Sequence, residues 1–136
     1  VLFGGDTTNG LLVEAIAAAP ETAAPLEAVA HALDALGRKV FTPARREFIA
    51  RRQAVIAAHP ELREREALKN LALIASMAEA LKRRGVPDLT ARVASELGAL
   101  ASTIAFDHWS RTTGDDDFSE IARRTLADVQ ASTALC

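Results

Sequence analysis

The stretch from Pro60 to Gly85 constrains the fold more than any other part of the chain. Pro60 suits a first helical turn, where its missing N–H costs nothing. Glu61 and Glu64 stand near the start, and Lys82, Arg83 and Arg84 fill the last turn, the order that the helix dipole favours. Gly85 can take the left-handed conformation that ends a helix, and Pro87 blocks continuation. Between these ends, Leu71 to Ala78 is apolar at every position except Ser76. A surface helix keeps polar residues along one side throughout. The pattern therefore predicts a long helix wrapped by others at its waist, solvated at its ends, and acting as the spine of a helical domain.

Composition bounds what can surround that spine. A chain of 136 residues fits a single domain, residues 1–136. With 49% hydrophobic residues, 7 Gly and 5 Pro, it can pack a core. Aromatics are 4% and Tyr is absent, so the core is mostly Ala and Leu, which favours helices over sheets. A formal charge of −2 makes this chain by itself a poor partner for nucleic acid. No run reaches the ~18 apolar residues of a membrane span, and no secretory signal is visible. The single cysteine, Cys136, excludes an internal disulfide. The chain opens on Val1 and reads as the trailing part of a longer protein.

Hydrophobic spacing gives six helices and no strand. The first, Thr7 to Ala19, buries Leu11, Leu12, Ala15, Ile16 and Ala19. The second, Leu26 to Leu36, buries Leu26, Val29, Ala30, Leu33 and Leu36, and Gly37 ends it. Thr42-Pro43 starts the third, which runs to about Ala58. The spine is the fourth. Asp88 or Thr90 caps the fifth, which runs to about Thr112. The sixth, Phe118 to about Thr133, turns Phe118, Ile121, Ala122, Leu126 and Val129 inward, and Asp115 to Asp117 supply acid at its start.

The fifth helix has two apolar faces. Leu89, Val93, Leu97, Leu100 and Ile104 form a bulky stripe. Ala91, Ala94, Gly98, Ala101, Ala105 and Trp109 lie nearly opposite on a helical wheel. This predicts a helix buried twice, the bulky face on its own core and the small face against a second helix.

Arg52 is the first candidate for a binding role. It projects from the apolar face set by Phe48, Ile49, Val55 and Ile56, with Arg45 one heptad earlier. An arginine buried without a partner costs several kcal/mol, so Arg52 needs an acid, a carbonyl or a ligand beside it. It either reaches a rim carboxylate, with Asp107 one internal possibility, or meets the anionic or carbonyl end of an apolar small molecule. On the spine, Asn70, Ile74, Met77 and Leu81 fall on one line. That line is either ordinary core or a pocket wall with one orienting amide. His31, His59 and His108 are scattered, and nothing resembles a zinc or di-iron ligand set. No nucleophile motif or phosphate-cradling loop is present, so the residues point to no catalytic group, metal or cofactor.

Three segments together resemble the C-terminal domain of a TetR-family transcriptional regulator of actinobacterial type. They are Val1-Leu2-Phe3-Gly4-Gly5-Asp6 followed by Leu11 to Ile16 and Pro20; Arg51-Arg52 with Ile56 to Leu62; and Phe106 to Gly114 before an amphipathic last helix. The resemblance implies an all-α, six-helix, cytoplasmic homodimer whose last two helices build a four-helix interface. That interface would use Ala94, Gly98, Ala101, Ala105, Trp109, Ile121 and Leu126. The earlier helices would enclose a site for a small hydrophobic or amphipathic effector. Taken with the constellations above, the candidate ligand-binding set is Phe48, Arg52, Val55, Asn70, Ile74, Met77 and Asp107. Operator DNA would be held only through an upstream helix-turn-helix head that this sequence lacks. Two other classes compete. A small helical mutase-like enzyme would need several basic side chains converging in one cavity, and a helical interaction module would have no cavity.

Overall fold

The computed structural model describes residues 5–112 and 116–134, the first two of these by backbone alone. Val1 to Gly4 of the opening motif, Thr113 to Asp115 and Cys136 lie outside the described residues. Proline punctuates the chain. Pro25 opens α2 (Pro25–Lys39), Pro43 opens a single 3-10 turn (Pro43–Arg45), and Pro60 opens α4 (Pro60–Arg83). Pro87 immediately precedes α5 (Asp88–Arg111). Each sits where a helix N-terminus leaves its N–H groups without intrahelical partners. The remaining helices are α1 (Gly5–Ala18), α3 (Arg46–Ala58) and α6 (Phe118–Ala131). Among the described residues there is no strand, so the expected all-α, six-helix class holds.

The helix ends follow local chemistry. Gly85, the expected stop, has φ +92°, and its N–H donates to Lys82 O at 2.9 Å. Asp117 caps α6 by accepting from Ser119 N–H at 3.1 Å. Arg84 carries the end of α4 to the end of α1, where its guanidinium donates to Ile16 O at 3.1 Å, to Ala19 O at 2.9 Å and to Pro20 O. Gly37 does not end α2. The helix runs on to Lys39 and buries Gly37, because α6 crosses there. A Cβ at 37 would collide with Ser119 Oγ and come within 2.8 Å of Ser119 N.

The spine is not wrapped at its waist. Ile74, Met77, Ala80 and Leu81 of α4 are buried, but Leu68 and Leu71 are 64% and 60% exposed. Packing against α1, α3 and α5 uses one side of α4 and leaves the other to solvent.

The two faces of α5 are inverted relative to expectation. Ala91, Ala94, Gly98, Ala101, Ala105 and Trp109 are buried within the protomer. Leu89, Val93, Leu100 and Ile104 are 46–75% exposed. The physical reason is close approach. Small side chains let α2, α4 and α6 pack tightly on α5, and a Cβ on Gly98 would collide with Val29 Cγ1 of α2. The seven residues assigned to a dimer interface, Ala94, Gly98, Ala101, Ala105, Trp109, Ile121 and Leu126, therefore all belong to the protomer's own core. The apolar face left exposed is the bulky stripe.

At one end of the core the aromatic residues gather. Phe41 lies 5.2 Å from Phe106, 5.6 Å from Trp109 and 4.8 Å from Phe118, ring centre to ring centre. Tilted and edge-on pairs of this kind add about 0.5–1.5 kcal/mol each beyond area burial. The Arg46 guanidinium covers Trp109 at 6.0 Å and donates to Thr112 Oγ1 at 3.2 Å.

Candidate functional site

A cavity of about 240 Å³ opens between the helices. Its apolar walls are Leu36 and Val40 at the end of α2, Phe41, Ile49 of α3, Leu73 of α4 and Phe106 of α5. Thr8 and Asn9 of α1, Gln53, Asn70, Ser102 and Thr103 add neutral polar groups, and Arg52, Glu66 and Lys69 add charges. Polar and charged residues outnumber apolar ones in this described lining, which is more polar than that of most small-molecule sites.

The charges form one network. Arg52 Nη2 and Lys69 Nζ each lie 3.5 Å from Glu66 Oε1. The three side chains are 25%, 37% and 32% exposed for Arg52, Lys69 and Glu66, so they stand at the rim with their heads partly wet. Glu66 is thus the acid that a half-buried Arg52 requires. Arg52 and Glu66 are equidistant in sequence from His59, where α3 turns into α4, and the corner between the two helices brings them together. Thr103 Oγ1 spends its hydrogen on Ala99 O at 3.0 Å, within its own helix.

Of the expected ligand-binding residues, Arg52 and Asn70 line this cavity. Phe48 and Val55 do not. Ile49 and Ile56 take the inward face of α3, which rotates Phe48 and Val55 to solvent at 50% and 53% exposure. They line a separate open groove with Arg51, Arg52, Ile56 and Leu62. Ile74 and Met77 are packed into the core rather than around the cavity. Asp107 is not an internal acid. It is exposed and pairs with Arg111 one turn on, at 3.1 Å. The residues that sequence reasoning missed are Glu66, Lys69, Gln53, Phe41 and Phe106. The spacing of Arg52 and Glu66 about the His59 corner, with Lys69 one turn beyond Glu66, was the available signal.

The remaining titratable groups make no second centre. His31 and His108 are exposed, and the His59 ring meets Val55 O at 2.8 Å at the helix junction. Among the described residues no cluster of three His, Cys, Asp or Glu side chains could hold a metal ion. Far from the cavity, the hydrogen bond from Lys82 to Glu79, at 2.7 Å and reinforced by the charge of Lys82, holds the Glu79 carboxyl below its ordinary value. No helix among the described residues is long and apolar enough to cross a membrane. Neither a protein-family model nor a curated protein matches the chain.

Proposed function

We propose that this chain is the effector-binding and dimerising domain of a TetR-type transcriptional regulator. One observation carries the reading: α5 belongs to two surfaces at once. Ser102, Thr103 and Phe106 line the cavity, while Leu89, Val93, Leu100 and Ile104 run along another side of the same helix as an exposed apolar stripe. A small hydrophobic or amphipathic effector in the cavity presses on the same helix that a second copy of the chain would grip.

The rings that line the cavity also reach the buried face of α5. Phe41 and Phe106 line the cavity, and both rings pack on Trp109, buried in α5. In this reading the regulator is a two-state switch. An effector moves the balance only by its different affinity for the two states. Operator DNA is held by a head outside this chain and is released when the effector favours the other spacing of the two heads.

The test uses the full gene product. It should select one DNA sequence from a random pool, release it on adding the effector, and lose that response, with dimerisation intact, in Arg52→Ala. Absence of sequence-selective DNA binding would contradict the proposal. The second basic residue, Lys69, favours a small helical mutase as a second reading. Chemical conversion of a bound ligand, rather than its unchanged release, would select that one.

A further inference from the structure

The charge at the cavity rim is uneven. Arg52 and Lys69 converge on the same oxygen, Glu66 Oε1, each at 3.5 Å. Glu66 is the sole acid among the described lining residues, and these carry two basic side chains against it. Beyond the rim the walls turn apolar and aromatic, with Phe41, Phe106 and Leu73. The volume, about 240 Å³, falls below the roughly 300–1,000 Å³ of sites for drug-sized ligands.

We propose that the cavity takes a small organic monoanion, a carboxylate on one aromatic ring or a chain of similar size. Its anionic end sits between Arg52 and Lys69, and its body lies against Phe41 and Phe106. This rests on the effector-binding reading and adds the charge and shape of the effector.

Glu66 then has a defined role. Its Oε1 holds the anion seat that Arg52 and Lys69 share. An incoming carboxylate replaces it at the same two groups. A guanidinium beside an ammonium suits that exchange, because charge-assisted hydrogen bonds to a carboxylate are the stronger kind. A cationic ligand would have to take Glu66 from both cations, and a neutral one would gain nothing from their charge. Specificity for the anion is therefore a difference between competing pairings at one place.

Three probes of one shape test the proposal: phenylpropionate, its neutral amide phenylpropanamide, and the cation phenylpropylamine. Trp109, the one tryptophan, lies 5.6 Å from Phe41 and 6.1 Å from Phe106, so its fluorescence reports the cavity; calorimetry confirms the affinities. The carboxylate should bind about tenfold or more tighter than the amide. Arg52→Met and Lys69→Met should each erase most of that preference. Glu66→Gln should tighten carboxylate binding and leave the amide unchanged. If the amide or the amine binds as well as the carboxylate, the anion assignment fails while the effector pocket stands. If Glu66→Gln weakens the carboxylate, Glu66 is no competitor and the proposal fails. If none of the three binds wild type, the pocket reading fails with it. The comparison on wild type needs no variant to fold.

Discussion

Gly98 of α5 lies against Val29 of α2 with no room for a side chain between them: a Cβ on Gly98 would collide with Val29 Cγ1. Val29 is fully buried and β-branched, so it has little freedom to turn aside. Gly98→Ala gains about 1 kcal/mol of helix propensity but overpacks a tight contact at about 1–3 kcal/mol. The melting temperature should fall by a few degrees, and adding Val29→Ala should recover part of the loss as a measurable coupling. Gly37→Ala should cost more, because the colliding group includes the Ser119 backbone. A rise in melting temperature for either single variant would contradict the packing described.

Ser95 is fully buried in α5, and its hydroxyl has no hydrogen-bond partner among the described residues. An unsatisfied buried hydroxyl costs about 1–3 kcal/mol, and alanine is also the better helix former. Ser95→Ala should therefore stabilise the domain by about 1 kcal/mol, after allowing for the small void left behind. Thermal or urea unfolding would show it, and destabilisation would mean that the hydroxyl has a role the packing does not reveal.

How much of this was legible in the sequence depended on whether local chemistry decided the matter. Gly85 and the proline-led starts were readable, because turn and cap preferences act on one or two residues. The amphipathic α6 was readable, because all five residues expected inward, Phe118, Ile121, Ala122, Leu126 and Val129, lie on one face and are buried. α5 was not. Both of its long faces are apolar, so polarity gives no direction. The choice fell to the distance at which α2 and α6 approach, which Gly98 and its alanines set. α4 misled for a related reason: an apolar waist looks wrapped, yet Leu68 and Leu71 face solvent. At the cavity, Arg52 was legible as a charge needing a partner. A rim carboxylate is one of the partners that the sequence offers it, and Glu66, across the α3–α4 corner, is that carboxylate, whereas Asp107 of α5 is not its partner.

Arg84 ties α4 to the end of α1 through the carbonyls of Ile16, Ala19 and Pro20. The planar fork of a guanidinium can serve several acceptors at once, whereas an ammonium on a flexible stem cannot hold the same set. Arg84→Met should cost about 1–2 kcal/mol, moderated because the site is part-exposed and water can reach the carbonyls. Arg84→Lys should restore less than half of the loss. Hydrogen exchange should accelerate first at the end of α1. Full rescue by lysine would show that charge, not geometry, makes the contact.

In the proposed regulator, two copies of this chain meet at the outer stripe of α5. Burying an aliphatic side chain of that size contributes about 1.5–3 kcal/mol, set against the cost of bringing two bodies together. The direct measurement is sedimentation equilibrium over a wide concentration range on wild type and on a Leu100→Asp, Ile104→Asp double variant. Wild type should be dimeric and the variant monomeric, with unchanged helical circular dichroism. A wild type that stays monomeric, or a variant that dimerises as tightly as wild type, would contradict the proposal.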